Sequence, residues 1–317
     1  MRCVVIGGSG HIGTYLVPLL VEAGYEVHNI SRGETKPYIE NSAWKKVTHH
    51  SCDRKAEDEL GTFPQRVRSL QAQIVIDLIC FDLASAKKLV EAIRGQVKHF
   101  LHCGTIWVHG CSTVVPATED LPRRPIDDYG AKKAQIETFL LNVARSEGFP
   151  ATIIHPGHIV GPGYPPLNPA GHFHPRVFSQ IAKGERVYLP NLGMETLHHV
   201  HAFDVARAFM GAINHWSFSV GENFHAVSEG AVTLRGYAEA VASWFNREAN
   251  LEFLPWPEWA KTVSMQEAAA THEHILHSPN ASIVKARRLI QYQPRFSSFE
   301  AIREAVHSLI ADGRIQV

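Results

Sequence analysis

The chain has 317 residues, 45% hydrophobic and 20% charged, with 31 Lys and Arg balancing 31 Asp and Glu. That composition excludes a disordered or collagen-like chain, and zero net charge gives no electrostatic reason to expect nucleic acid or an anionic membrane as partner. At roughly 150 residues per domain, the length predicts about two domains. Cys3, Cys52, Cys80, Cys103 and Cys111 are odd in number and lack metal-type pairs, which predicts reduced thiols and a cytoplasmic protein. The start, Met1 to Ile6, reads as a buried strand rather than a secretion signal, and no apolar run approaches the roughly 18 residues that span a bilayer.

Taken in chain order, short β-branched runs at 2–6, 26–30, 45–49, 73–79, 98–103, 150–155 and 223–227 alternate with helical patterns. Those patterns fall at 11–23, 55–70, 84–94, 128–147 and 202–214. The alternation predicts an α/β protein with a Rossmann-type doubly wound parallel sheet. Near Gly161-Pro162-Gly163-Tyr164-Pro165-Pro166 the regular order breaks, and further helices are predicted at 175–183, 233–246, 258–270, 282–290 and 298–312. The resulting division is a dinucleotide-binding domain from 1–163 and 200–228, and a smaller, mostly helical C-terminal substrate domain from 164–199 and 229–317.

The first predicted strand runs into Gly7-Gly8-Ser9-Gly10-His11-Ile12-Gly13. Gly7 permits a tight turn, Gly10 lets a pyrophosphate approach the backbone, and Gly13 lets the helix pack close to the strand. The free N–H groups at the helix start, from Ser9 to Gly13, would face the anion. The second strand ends in Ser31-Arg32, where an NAD site usually offers a carboxylate to the ribose 2′-hydroxyl. A hydroxyl followed by a guanidinium suits a 2′-phosphate, so NADP is the expected cofactor, with NAD the alternative. Asp53, after the third strand, is a candidate partner for the adenine amino group.

The helix predicted at 128–147 opens with Asp127-Asp128-Tyr129-Gly130-Ala131-Lys132-Lys133, placing Tyr129 and Lys133 one turn apart on one face. A phenol ordinarily titrates near 10. A cation about 5 Å away at an effective dielectric of 20 favours phenolate by roughly 3 kcal/mol, about two pKa units. Tyr129 is thereby a candidate acid/base for a substrate alcohol or ketone.

In combination these motifs make the sequence resemble the extended short-chain dehydrogenase/reductase family, the nicotinamide-dependent epimerases, dehydratases and reductases. The resemblance runs nearly end to end. It rests on the glycine loop, on Cys103-Gly104-Thr105-Ile106-Trp107-Val108-His109-Gly110, and on Tyr129-x-x-x-Lys133. It continues through His155-Pro156-Gly157-His158-Ile159-Val160-Gly161-Pro162, His201-Ala202-Phe203-Asp204-Val205-Ala206, and Ser282-Ile283-Val284-Lys285-Ala286 followed by Tyr292-Gln293-Pro294-Arg295. The resemblance implies that Thr105 bonds the reacting oxygen beside Tyr129, that Lys133 binds the nicotinamide ribose and tunes Tyr129, and that Pro156 lies against the cofactor. It also implies hydride transfer at a secondary alcohol or ketone of a sugar-like small molecule, and a homodimer.

Departures from the family pattern bear on the substrate. Two arginines that commonly grip a sugar-nucleotide diphosphate have no clear counterpart in Glu195-Thr196-Leu197-His198-His199-Val200-His201 or in Thr271-His272-Glu273-His274-Ile275-Leu276-His277. Family 4,6-dehydratases tend to carry Asp-Glu after the threonine, where this chain has Ile106-Trp107. Among twenty histidines, the groups around His172, His198 and His272 lack the carboxylate or thiolate spacing of a metal site, so no metal is expected. His198 and His274 are instead candidate donors around a less charged substrate. Trp244, Phe245, Phe253, Trp256 and Trp259 are predicted to pack the smaller domain. Two alternatives stand beside the epimerase-type reading: an NADPH-dependent reductase of a non-sugar carbonyl, and a non-catalytic nucleotide-sensing or RNA-associated protein.

Overall fold

The computed structural model describes residues 1–317. The first half alternates β1 (Arg2–Ile6), α1 (His11–Glu22), β2 (Glu26–Ser31), β3 (Thr48–Ser51), α2 (Arg54–Leu60), α3 (Phe63–Ser69), β4 (Ile74–Asp77), α4 (Leu83–Ile93), β5 (His99–Cys103), α5 (Asp128–Glu147) and β6 (Ala151–Pro156). There follow β7 (His158–Val160), α6 (Arg176–Lys183), β8 (Val187–Pro190), β9 (Thr196–Leu197), β10 (His199–His201), α7 (Ala202–Asn214), α8 (Trp216–Ser219) and β11 (Asn223–Ala226). The chain ends through β12 (Val232–Thr233), α9 (Leu234–Trp244), β13 (Leu251–Leu254), α10 (Trp256–Trp259), α11 (Met265–His277), α12 (Val284–Ile290) and α13 (Ser298–Ala311).

Seven strands pair in parallel in the order β11-β6-β5-β4-β1-β2-β3. The chain leaves β1 toward β2 and β3, then returns to β4 on its other side, so the order reverses between β1 and β4. That switch point opens a crevice at the carboxyl ends of the strands. Strand residues alternate between two cores, because successive side chains point to opposite faces. On one face Cys3, Val5, Ile74, Ile76 and Leu101 meet α1, α7 and α12 through Leu16, Phe209 and Ile290. On the other, Val4, Ile6, Val75 and Phe100 meet α3, α4 and α5 through Phe63, Leu89 and Leu140. The sheet is therefore doubly wound, as the sequence predicted.

A third core gathers Phe178, Leu189, Leu197, Tyr237, Val241, Trp259, Ile275 and Val306. Trp244, Phe245, Phe253 and Trp256 pack against it, so the late aromatic residues are structural. The stretch from Ala281 to Tyr292 joins the first sheet core instead.

Three element assignments differ from expectation. The helix expected at 55–70 is broken by Gly61, whose φ of +73° caps α2 in the left-handed region, and α3 restarts with Pro64 in its first turn. The helix expected at 258–270 is displaced to α11, which a reciprocal Ser264–Glu267 capping box starts. The third strand lies at 48–51, after a 3-10 turn at Ser42–Lys46 whose cap is Asn41. The short strands β7 to β10, β12 and β13 are too brief to show alternation and were not foreseen. No helix is long and apolar enough to cross a membrane.

Candidate active site

The glycine loop lies at the switch point. Gly7 has φ +85°, and a Cβ there would fall 2.7 Å from the Ile79 side chain. Gly13 admits no side chain either, since its Cβ would lie 2.0 Å from the Gly8 carbonyl oxygen. At Gly10 the only neighbour within reach is the Gly7 carbonyl oxygen at 3.4 Å, so the loop is open on its outer side. Gly10 caps α1 without any side-chain hydrogen bond, and the first turn holds no acidic residue, so its N–H groups face the crevice unopposed. This donor set fits the pyrophosphate of a dinucleotide.

The crevice is a cleft of about 800 Å³ lined by Gly7, Ser9, Gly10, Ser31, Arg32, Asp53, Ile79 and Phe81, among others. The Gly8 N–H donates to Asn29 Oδ1, the Asn29 amide donates to Ser9 Oγ, and Ser9 Oγ donates to Ser31 Oγ. The loop and the end of β2 are thus tied into one rigid wall. Arg32 is 63% exposed and pairs with Glu34 at 3.3 Å. Asp53 uses one oxygen to cap α2, accepting from the Ala56 N–H. His11 and Ile12 lie in the first turn of α1, and burial pushes the His11 imidazole down to about 4. A second cavity, about 660 Å³ between Trp216, Phe149 and Ile213, lies at the opposite end of the strands, away from these residues.

The expected catalytic set lies beside the cleft, reached from it through Phe81, whose ring is in the cleft wall 6.4 Å from that of Tyr129. Asp127 caps α5 by accepting from the Gly130 N–H, and Tyr129 sits in the first turn. Gly130 lets the loop after β5 lie against that turn, since a Cβ there would meet the Trp107 carbonyl oxygen at 3.0 Å. Thr105 caps a 3-10 turn spanning Ile106–His109, its Oγ1 accepting from the Trp107 N–H. Lys133 is buried, its ammonium donating to the carbonyls of Cys80 at 2.8 Å and Cys103 at 2.7 Å. The same ammonium lies 5.8 Å from the Tyr129 ring centre and 4.8 Å from that of Phe81. Pro156 ends β6, and no bond ties it to these groups.

One electrostatic expectation is overturned. The Tyr129 phenol is shifted upward by burial, with Cys103 and Asp127 adding to the rise and the Thr105 hydroxyl opposing it. Burial also lowers Lys133, whose ammonium spends two hydrogen bonds on backbone carbonyls. In the protein alone, therefore, the lysine does not bring the phenol down. Tyr129 remains 39% exposed, so the ring is only partly walled by protein.

Behind Thr105 lies a buried network that sequence reasoning missed. The Thr105 N–H donates to His155 Nδ1 at 2.9 Å, and His155 Nε2 donates to Glu137 at 2.9 Å. Gly104 makes room for this, because a Cβ there would lie 2.3 Å from His155. Arg123 grips Glu137 with two bonds, 2.8 and 2.6 Å. Burial alone would raise the Glu137 carboxyl, but His155 and Arg123 hold it well below the usual carboxylate range. The available signal was spacing: Glu137 is one turn beyond Lys133 on the buried face of α5.

Most paired histidines turn out to be structural. His198 accepts from the Ala281 N–H and bonds the Ser228 carbonyl, so it has no ring nitrogen left for substrate. His201 accepts from Phe203 N–H to cap α7, and His172 bonds Asn168 and the His174 N–H. His274 differs: its Nδ1 is tied to the Ala270 carbonyl, but its ring joins Trp107, His158 and Phe173 in a cluster beside Tyr129. No three His, Cys, Asp or Glu side chains form a metal-holding group.

Strand order, glycine loop and cleft together define a dinucleotide-binding α/β protein. The profile of the NAD dependent epimerase/dehydratase family matches residues 3–225. The chain belongs to this family of NAD-dependent enzymes. It is 25% identical over 340 residues to a UDP-glucose 4-epimerase of Streptococcus mutans serotype c, covering 95% of this chain and 94% of that protein. It is 24% identical over 324 residues to the chloroplast stem-loop binding protein of 41 kDa b of Arabidopsis thaliana, covering 96% and 78%. Its fold matches that of a UDP-glucuronic acid 4-epimerase from Bacillus cereus in complex with NAD, with a TM-score of 0.74, 19% identity and coverage of 98% and 99%.

Proposed function

We propose that the chain exchanges hydride at a secondary alcohol or ketone of a sugar-like small molecule, with Tyr129 as the acid/base. The observation that supports this reading is the placement of Tyr129 and Lys133 against Phe81, a wall residue of a dinucleotide-sized cleft, with Thr105 on the adjoining turn. A nicotinamide held in that cleft would supply or receive the hydride and, when oxidised, would bring a positive charge. The raised phenol keeps Tyr129 protonated at neutral pH, the form that donates to a ketone oxygen. The Thr105 hydroxyl, whose oxygen already accepts from Trp107 N–H, has a single proton, which it can turn from Tyr129 toward the same oxygen. Lys133, anchored by two carbonyls, has a third N–H for a ribose hydroxyl.

NADP is the cofactor form that Ser31 and Arg32 favour, with Glu34 as the group that opposes it. The epimerase relatives support a sugar-like substrate, as the family suggests. A second reading, RNA association, draws on the name of the Arabidopsis relative. Zero net charge and the assembled Thr105–Tyr129–Lys133 set support the enzyme instead. The test is cofactor oxidation over a panel of ketones and nucleotide-linked or free keto-sugars. Tyr129→Phe should lower the rate at least 100-fold without unfolding the protein. Equal rates in both proteins would remove Tyr129 from the chemistry.

A further inference from the structure

His277 is the last residue of α11, and it touches both arms of the proposed catalytic pair. Its ring stacks on the Trp107 indole, with centroids 4.1 Å apart and planes at 14°. Trp107 lies two residues after Thr105 and donates its N–H to the Thr105 hydroxyl. On its other side, His277 Nε2 lies 3.1 Å from Oδ2 of Asp127, whose second oxygen caps the helix that begins with Asp128 and Tyr129. The His277 carbonyl accepts from the Ser112 N–H at 3.1 Å, fastening the far end of the same loop.

The hydrogen-bond inventory sets the charge of this ring. His277 Nδ1 lies 2.8 Å from the Glu273 carbonyl, which only accepts, and Nε2 faces a carboxylate, which only accepts when ionised. A neutral imidazole has one N–H and would leave one of these contacts without a proton. An imidazolium donates to both and gains a cation–π contact with the indole face. The other titratable groups that face it are His158 from β7 and His274 from its own helix. Burial lowers both of these.

We propose that His277 is an imidazolium staple, a positioning residue through which α11 holds the Thr105 loop and the Tyr129 helix in register. The proton is assigned from geometry alone. The kinetic consequence rests on the reading of Tyr129 as acid/base; the protonation state does not.

Two measurements separate these. In protein labelled with ¹⁵N-histidine, both ring nitrogens of His277 should carry protons at pH 7, the signals being identified by their loss in His277→Phe. Tryptophan emission should rise when the proton is removed from His277 by raising the pH and quenching of Trp107 ends, with the step absent from Trp107→Phe and from His277→Phe. A single protonated nitrogen, or a step that survives in His277→Phe, would overturn the staple whatever the enzyme does. In turnover, His277→Phe should lose about tenfold with NADPH affinity unchanged. His277→Gln, which can still donate to Asp127, should recover part of that, and Asp127→Asn, which keeps the helix cap, should add little to His277→Phe. If the spectroscopic results hold but turnover is unmoved in every variant, the staple stands as a structural tie and its role in positioning the pair is lost.

Discussion

Arg32 lines the cleft beside Ser31, and its partner Glu34 is equally solvent-exposed. Such a surface pair holds its geometry weakly, so the guanidinium can leave it for a 2′-phosphate at little cost. Arg32→Ala is expected to weaken NADPH binding about tenfold while leaving NADH nearly unchanged, as read by fluorescence titration. An unaltered ratio of the two affinities would return the site to NAD. At this scale the sequence was informative about which residues meet and less so about their charge. The one-turn interval of Tyr129 and Lys133 was legible because helical geometry alone sets it. The direction of the phenol shift was not, because it depends first on how deeply tertiary packing buries the ring, and the same packing brings the carbonyls of Cys80 and Cys103 to Lys133 from 53 and 30 residues away.

Helix α5 carries the site's supports on one face: Lys133 and Glu137 are buried one turn apart, and Tyr129 precedes them. Its bounds coincide with the expected 128–147, as those of α7 do with 202–214, because long periodic patterns bounded by Asp127 and Gly148 leave little freedom. Helix α11 was misplaced because Pro257 and the Trp256–Trp259 turn mimic a helix start, although Ser264-x-x-Glu267 was there to be read. Glu137→Gln should cost about 3–5 kcal/mol in urea unfolding, since Arg123 is left with a neutral partner in a buried setting. The pH dependence has a defined sign. The folded-state value of Glu137 lies below the roughly 4.3 of an unfolded glutamate, so its stabilisation is complete above that pH and is lost as the pH falls further. The variant should therefore show a flatter acid limb than the parent, and parallel limbs would contradict the account of the network.

Over the molecule as a whole, the abundance of histidine becomes a property of stability. Burial lowers His99 and His199 to about 3 and His198 and His274 to about 4, and holds His102, His158 and His225 well below their usual value. An unfolded histidine titrates near 6.5, so the unfolded chain takes up protons first as the pH drops. Stability is then full above about pH 6.5 and declines as the pH falls toward 4, each such group adding up to about 1.4 kcal/mol per pH unit. Unfolding midpoints should drop steeply between about pH 6.5 and 5, well above the range where carboxylates titrate. A flat midpoint across that interval would mean that these rings are solvated. The fold class was legible from strand and helix alternation, whereas the burial of so many imidazoles was not, since a histidine carries no sequence mark of which side of a sheet it will face.

Of the five thiols, four are buried and only Cys111 is exposed, just past the turn that Thr105 begins. A single accessible thiol thus stands next to the turn that carries Trp107. A maleimide dye would attach there without further engineering, and its emission would report in real time whether the Trp107 loop shifts when nucleotide or candidate sugars arrive.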